Sequence, residues 1–301
     1  MSKKIGSKQL KADMMLVLVT LCWGISYLLM DIALEELEPF VLNTFRFFGA
    51  FVIASIVAFP RIKSVNKETI KYSIFVGIAL YFVYIGCTFG VMYTSISNAG
   101  FLCALAVVFT PLLAFIFLKQ VPNKKFIVVV IMAVIGIACL TLNEQLKLAS
   151  GDILCILCAF AYAVDLLITE IAVSKDEVDA FQLGVFQLGV TGILCAITAI
   201  FIETPKVPSS GKVWFAVIFL TVFCTGIAFI IQAVAQQYTT ASHVGVIFTL
   251  EPVFSGIGAF LVAGEVLSGR AYFGAFLLVA SLFVMEVDFS KMLKRNRVAM
   301  K

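Results

Sequence analysis

Ten apolar runs of 17 to 23 residues, separated by short polar segments, form the main pattern along this chain. About 20 apolar residues suffice for a helix to cross a bilayer, and lipid tolerates only helices or closed barrels. None of the runs alternates between apolar and polar residues as a strand does. The pattern therefore predicts an all-α integral membrane protein with ten transmembrane helices, at residues 14–34, 39–59, 72–92, 98–118, 126–142, 153–173, 181–202, 213–235, 242–262 and 271–287.

The composition agrees with this interpretation. Hydrophobic residues make up 62% of the 301 residues and charged residues only 13%, against about 45–50% and about 25% in soluble domains. These values exclude a soluble enzyme, a disordered chain and a disulfide-rich secreted module. All eight cysteines lie inside apolar runs, so we interpret them as small lipophilic side chains.

The distribution of Lys and Arg predicts the orientation in the membrane. With a cytoplasmic N-terminus, 17 basic residues lie on the cytoplasmic side and four on the opposite side, and Arg46 lies within a span. Cytoplasmic loops are enriched in Lys and Arg. We therefore expect a multi-pass protein of the plasma membrane with both termini in the cytoplasm. The basic tail is better explained by anionic lipid headgroups than by nucleic acid, so the bilayer is an expected partner and nucleic acid is not.

An internal repeat divides the chain into two halves. A shift of 145 residues places the segment 93–100 on 238–245, and a slightly different offset places Arg46 on Gln187. Each half then holds five spans, and because five is odd the halves have opposite orientations. Inverted repeats are typical of secondary transporters, with a site near the bilayer midplane. The prediction is two inverted five-helix repeats around a central cavity, with repeats at 1–148 and 149–290 and a basic cytoplasmic tail at 291–301.

Several short sequences along the chain match a known family in order and spacing. They are Trp23-Gly24, Pro39, Arg46, Asn98-Ala99-Gly100, Glu251-Pro252 and Gly264-Glu265. Together they resemble the drug/metabolite transporter superfamily, and most closely its ten-helix EamA-like branch. The resemblance extends over nearly the whole chain and implies an inverted-repeat transporter, often an exporter of amino acids or other small metabolites.

Ionisable residues within the spans are the first candidates for function, since each costs at least about 2.5–3.5 kcal/mol at the bilayer centre. Arg46 either pairs with a carboxylate or receives an anionic group of the substrate. The alternatives are that its side chain extends outward to the membrane interface or that it has a role in helix packing. Asn43 lies one turn before it. Glu251 directly precedes Pro252, whose missing N–H breaks the helix ladder. This arrangement predicts a hinge and a polar site, and suits a proton-coupled carrier as well as a structural kink.

Other candidate substrate-binding residues follow polar or aromatic stripes on single helix faces. In the sixth span, Asp165 shares a stripe with Tyr162, and a structural ion pair with Arg46 is the alternative to a substrate or proton role. The remaining candidates are Trp23, Tyr27, Tyr81, Tyr84, Gln232 and His243. Polar stripes also hold membrane helices together, so each of these residues has a packing role as its alternative. Gly86 and Gly90 form a GxxxG sequence that predicts close helix packing.

The sequence predicts a secondary transporter that exports a small polar metabolite, such as an amino acid, by alternating access. It contains no HExxH, no GxxxxGK[ST] and no GxGxxG sequence, so we expect no catalytic residues, no cofactor and no metal. Proton coupling through Glu251 or Asp165 is a hypothesis. The alternatives are an intramembrane enzyme or lipid-handling protein, and a sensor or assembly subunit without transport.

Overall fold

The computed structural model describes residues 2–94, 99, 102–141, 150–263 and 268–286, and all regular secondary structure in these ranges is helical. Six helices there are long and apolar enough to cross a membrane, and three further apolar helices are shorter. An all-α, multi-pass membrane protein is therefore confirmed. The principal helices are α1 (Ser2–Leu34), α2 (Pro39–Val57), α3 (Lys67–Tyr93), α4 (Ala106–Leu118), α5 (Lys124–Thr141), α6 (Ser150–Val173), α7 (Ala180–Ile202), α8 (Gly211–Tyr238), α9 (Ala241–Phe248 and Glu251–Ala263) and α10 (Gly269–Glu286).

Two helices begin five or more residues earlier than the apolar pattern predicts. α1 begins at Ser2 and not at residue 14, and α3 begins at Lys67 and not at residue 72. At the start of α3, the Asn66 side chain accepts a hydrogen bond from the backbone N–H of Thr69 at 2.7 Å. Such a cap satisfies a free N–H of the first turn. The apolar run marks only the part of a helix that can lie in lipid, whereas the capped polar turn extends the helix beyond it.

The helices pack in a symmetric set of contacts. α3 lies against α6 and α7, and α8 lies against α1 and α2. Three further pairs join helices five places apart in the chain, namely α2 with α7, α4 with α9 and α5 with α10. Each helix of the first five corresponds to the helix five places later in the chain. Replacing every helix by its counterpart gives the same set of contacts. This is the arrangement expected of two repeats related by a pseudo-two-fold axis.

Small residues allow α3 and α6 to approach closely. A Cβ atom on Gly86 would lie 2.7 Å from the carbonyl oxygen of Leu154 and 2.8 Å from the Cβ of Cys158. A Cβ atom on Gly90 would overlap the sulfur of Cys155. Small residues at such contacts let helix backbones approach in lipid. The two glycines of the GxxxG sequence therefore do pack against a neighbouring helix.

Three helices are irregular near the middle of the bundle. The helical path is interrupted at Leu105, directly before α4, and at Thr249 and Leu250 within α9. Leu105 and Leu250 are 145 residues apart, which is the shift of the sequence repeat. The middle of α8, Leu220–Ile227, is a π-helix. Segments of this kind are rare and frequently lie at functional sites.

Candidate functional site

Arg46 projects from α2 into the bundle and is fully buried. Its Nε atom donates a hydrogen bond to the Thr225 hydroxyl at 3.2 Å, and one terminal nitrogen donates to the Tyr84 hydroxyl at 3.4 Å. The guanidinium carbon lies 4.8 Å from the centre of the Tyr84 ring, which adds a cation–π attraction. The other terminal nitrogen contacts the sulfur of Met30 at 3.0 Å.

The partners of Arg46 are neutral. Among the residues that the structure describes, none of the ion pairs within 4.0 Å involves Arg46. The described residues therefore contain no ion pair between Arg46 and a protein carboxylate, which is the first of the two roles considered for this side chain. A buried guanidinium with only neutral partners retains an uncompensated charge, which is costly unless an anion joins it.

Asp165 belongs to a second network, between α6 and α8. Its Oδ2 atom accepts a hydrogen bond from the Gln232 amide at 3.3 Å, and the Gln232 amide oxygen accepts one from the Tyr162 hydroxyl at 3.2 Å. Gln236 adds a bond from its amide to the carbonyl oxygen of Leu166 at 3.0 Å. Asp165 is fully buried, and its Oδ1 atom has no hydrogen-bond partner among the described residues. This oxygen is available to a bound group.

Glu251 begins the second segment of α9, directly after the interruption, and its carboxylate lies beside the Tyr27 hydroxyl of α1. The interruption has the cause that the sequence predicts, because Pro252 offers no N–H to the Phe248 carbonyl. Both Glu251 and Tyr27 are only half-buried. The helix interruption thus places the Glu251 carboxylate beside α1, at the start of the second segment of α9.

Tyr84 connects Arg46 with Glu251. Its hydroxyl lies within electrostatic range of both Arg46 and Glu251. Tyr162 in turn lies within range of Tyr84, Glu251 and Asp165. One cation and two carboxylates, carried by α2, α6 and α9, therefore surround the same group of tyrosines.

Trp23 forms an aromatic wall next to these charged groups. Its ring centre lies 4.8 Å from that of Phe248, 5.3 Å from that of Phe229 and 6.0 Å from that of Tyr162. The indole N–H donates to the carbonyl oxygen of Cys224 at 2.8 Å. Cys224 lies in the π-helix of α8, which also carries the Thr225 partner of Arg46. The irregular segment therefore fixes both an aromatic and a cationic side chain.

Three of the sequence-predicted residues, Tyr81, Asn43 and His243, have partners outside the group around Arg46, Asp165 and Glu251. The Tyr81 hydroxyl pairs with the Thr198 hydroxyl on α7 at 2.5 Å, at a helix contact. Asn43 donates from its amide to the Thr88 hydroxyl at 3.1 Å.

His243 lies near the start of α9, where its Nε2 atom is 3.4 Å from a carboxylate oxygen of Asp13 on α1. Contacts or electrostatic interactions link Trp23, Tyr27, Arg46, Tyr84, Tyr162, Asp165, Gln232 and Glu251, whereas Asn43, Tyr81 and His243 have partners outside this group.

Two features of the structure are not evident from the sequence: the π-helix that carries the Thr225 partner of Arg46, and the contact of Asp13 with His243 outside the site. The π-helix has no sequence signal that separates it from an ordinary apolar helix. Asp13 directly precedes the first apolar run, and nothing in the sequence around it indicates that its carboxylate lies beside His243.

A family model for the EamA-like transporter family matches the chain twice, at residues 10–142 and 149–287. The chain therefore belongs to the EamA-like transporter family, which supports its place in the drug/metabolite transporter superfamily.

Relatives with similar lengths carry transporter names. A protein of Archaeoglobus fulgidus named "Uncharacterized transporter" is 32% identical over 94% of this chain and 88% of that protein. "Uncharacterized transporter YoaV" of Bacillus subtilis is 20% identical over 92% of this chain and 97% of that protein. A solved structure titled "Crystal structure of protein" superposes with a TM-score of 0.78 at 17% identity, over 91% of this chain and 96% of that chain. That likeness shows the fold alone. The family and the relatives' names indicate a membrane transporter.

Proposed function

We propose that this protein is a secondary transporter for a small zwitterionic metabolite of the amino acid class, moved by alternating access. The observation that carries the proposal is that Arg46 hydrogen-bonds the Tyr84 hydroxyl, with which Glu251 also interacts electrostatically. A zwitterion presents a carboxylate to a guanidinium and an ammonium to a carboxylate. Bidentate hydrogen bonding to a carboxylate is what arginine does best.

The rest of the site fits a small amphipathic molecule. Trp23, Phe229 and Phe248 offer apolar ring faces, while Gln232 and the second oxygen of Asp165 offer hydrogen bonds. Ligand sites combine an apolar lining with a few convergent polar groups in this way. We infer that binding the substrate carboxylate supplies the anion that Arg46 otherwise lacks.

The helix interruptions suggest where the protein moves. α4 and α9 contact each other, and helix interruptions lie at equivalent positions directly before α4, at Leu105, and within α9, at Leu250. Discontinuous helices at the midplane recur at the binding sites of secondary transporters. In this proposal, the repeats 1–148 and 149–290 move relative to each other, with the interruptions as hinges.

The remaining parts of the proposal concern sidedness and energy coupling. The excess of Lys and Arg on one side supports a plasma-membrane protein with both termini in the cytoplasm. Export as the direction of transport rests only on the resemblance to the EamA-like family. Glu251 and Asp165 are the candidates for proton coupling, since a carboxyl group in an apolar interior can change its charge when protons are exchanged.

Counterflow in proteoliposomes tests the transport proposal. Purified protein is reconstituted with a high internal concentration of one unlabelled amino acid, and entry of the labelled compound is followed across a panel of amino acids and other small metabolites. Saturable accumulation of a zwitterion supports the proposal. Chemical conversion of a panel member would support an enzyme instead, and no exchange of any zwitterion would overturn the proposal.

Two variants test the site. Arg46→Met and Glu251→Gln preserve side-chain volume and remove one charge each. We expect each to reduce counterflow at least about tenfold, the factor for loss of about 1.4 kcal/mol of binding. Gln187→Met is the matched control, because Gln187 is a buried polar residue at the repeat-equivalent position of Arg46. Wild-type counterflow in both charge variants would remove Arg46 and Glu251 from the site.

A further inference from the structure

Three cysteines that are distant in the sequence lie next to one another inside the bundle. Cys87 of α3, Cys103 directly before α4 and Cys158 of α6 have their Sγ atoms all within 4.8 Å of one another. Cys158 is buried, whereas Cys87 and Cys103 are half-buried. Three thiols from three separate chain segments thus converge on one point.

The convergence depends on the close contact of α3 with α6. Gly86, which precedes Cys87, lies directly against Cys158, where a Cβ atom would come within 2.8 Å of the Cys158 Cβ. Any larger residue at position 86 would push the helices apart and separate the two sulfurs. The thiol of Cys155 adjoins Cys103 as well, so a fourth sulfur lies at the edge of the cluster.

The distances fit one metal ion with little movement. A metal–sulfur bond of about 2.3 Å places three sulfurs about 4 Å apart around a trigonal ion. The observed limit of 4.8 Å therefore requires shifts of less than about 1 Å, which side-chain rotation can supply. Thiolate sulfur is a soft ligand that selects Cu(I), Zn²⁺ and iron–sulfur clusters.

The surrounding charge favours the binding of thiolates. Arg46 is close enough to interact electrostatically with the sulfur of Cys87. Each thiol that ligates as a thiolate releases one proton, so three thiolates and one monovalent ion carry a net charge of −2. The nearby guanidinium offsets part of that charge, which would otherwise be costly in an apolar interior.

We propose that Cys87, Cys103 and Cys158 form a binding site for a soft monovalent metal ion of the Cu(I) class. Zn²⁺ favours four protein ligands in a structural site, and the cluster holds three sulfurs within reach of one another with Cys155 only at its edge. The site adjoins the charged centre of the proposed transporter, but it is independent of what that centre transports.

Anaerobic titration of the purified, reduced protein with Cu(I) tests the proposal. Bicinchoninate serves as the competing chelator, and metal and protein are quantified after gel filtration. The expected result is one Cu(I) per chain in the wild type. Cys87→Ala, Cys103→Ala and Cys158→Ala should each weaken binding by at least about tenfold, the range seen when metal sites lose support.

Cys195→Ala is the matched control, because Cys195 is buried on α7 and outside the cluster. This variant should bind Cu(I) as the wild type does. The elution volume and melting temperature of each variant show whether it is folded, and Cys87→Ser provides a nearly isosteric second variant at the half-buried position.

Three results would overturn the proposal: equal Cu(I) binding by a triple Cys→Ala variant, loss of binding in Cys195→Ala alone, or preferential retention of Zn²⁺. Metal binding is measured without a transport assay. A negative result here therefore leaves the transport proposal standing, and failed counterflow leaves the metal site standing.

Discussion

The carboxylate of Glu203, just beyond the end of α7, caps the first turn of α2 by accepting the backbone N–H of Phe40 at 2.9 Å. Its second oxygen accepts the N–H of Val41 at the same distance. The first turn of a helix leaves its N–H groups without partners and carries partial positive charge. α2 supplies no side-chain cap of its own. A residue from the other repeat therefore completes this helix.

Removing that carboxylate should destabilise the fold. We expect Glu203→Ala to lower the free energy of unfolding by about 1 kcal/mol, the usual cost of a lost N-terminal cap. Glu203→Gln, which keeps one acceptor oxygen, should cost less. The melting temperature of the detergent-solubilised protein measures both effects. Lys206→Ala changes an exposed residue of the same loop and serves as the control. Equal melting temperatures of all three variants and the wild type would contradict the role of Glu203 as the cap of α2.

α2 and α7 are also tied at their other ends. Asp179, at the start of α7, lies 3.6 Å from the guanidinium of Arg61, just beyond α2. The Gln182 amide donates to the backbone carbonyl of Arg61 at 2.7 Å. An antiparallel pair held at both ends is poorly suited to slide or separate. Because α2 belongs to the first repeat and α7 to the second, we infer that this pair stays joined while the repeats move, and that the movement pivots about it.

The loop between α1 and α2 is held to the loop between α7 and α8 through Glu36. Its Oε2 atom accepts the backbone N–H of Ser209 at 2.6 Å and that of Ser210 at 3.4 Å, and the Ser209 hydroxyl at 3.0 Å. These hydrogen bonds lower the pKa of Glu36 from its ordinary value of 4.5 to about 2. A group with a lowered pKa stabilises the fold above its unfolded pKa, and the contribution is lost as pH falls toward the folded value.

This shift predicts a specific pH dependence. The melting-temperature difference between wild type and Glu36→Gln should be constant above pH 5 and should shrink as pH falls from about 4.5 toward 2. The measurement is thermal unfolding of both proteins across that range. Glu68→Gln, at an exposed ion pair with Lys71, is the comparison variant. A difference that stays constant or widens on acidification would exclude the hydrogen-bond origin of the shift.

α1 and α9 touch at a glycine. A Cβ atom on Gly24 would lie 2.7 Å from the Cβ of Phe254 and 2.9 Å from the backbone nitrogen of Ser255. Because the obstructing atoms include backbone, they cannot turn away. We expect Gly24→Ala to destabilise the protein by about 1–3 kcal/mol, the usual cost of overpacking. Gly269→Ala is the control, because nothing lies within 4 Å of the added atom, and similar melting of both variants would contradict the close contact.

The sequence predicts some parts of this molecule far better than others, for physical reasons. The long apolar helices follow from hydropathy, since a helix that faces lipid must be apolar over the part that lies in the bilayer. The interruption at Glu251 follows from Pro252, because a missing N–H is a local property. By contrast, the interruption at Leu105 has no proline at the equivalent place, and only the repeat shift connects it with Leu250.

Partners across the bundle are the other part that the sequence does not predict. Arg46 is recognisable as costly in lipid, but nothing in the sequence indicates that it binds Thr225, which lies in the π-helix of α8. Likewise Glu203 lies in a polar loop, and nothing in the sequence around it indicates that it caps α2. Such contacts depend on how helices far apart in sequence are arranged, which hydropathy does not encode.

Pro252 offers the most direct test of the proposed hinge. Replacement by Ala restores an N–H opposite the Phe248 carbonyl and should make α9 more continuous, because proline in a helix interior costs about 3 kcal/mol. We expect the Pro252→Ala protein to melt no lower than wild type but to show counterflow reduced about tenfold, which corresponds to about 1.4 kcal/mol of bias between the two states. Pro39→Ala is the matched control, because Pro39 begins α2, where a missing N–H has no cost. Counterflow that remains at the wild-type rate in Pro252→Ala would mean that the interruption of α9 is not a hinge.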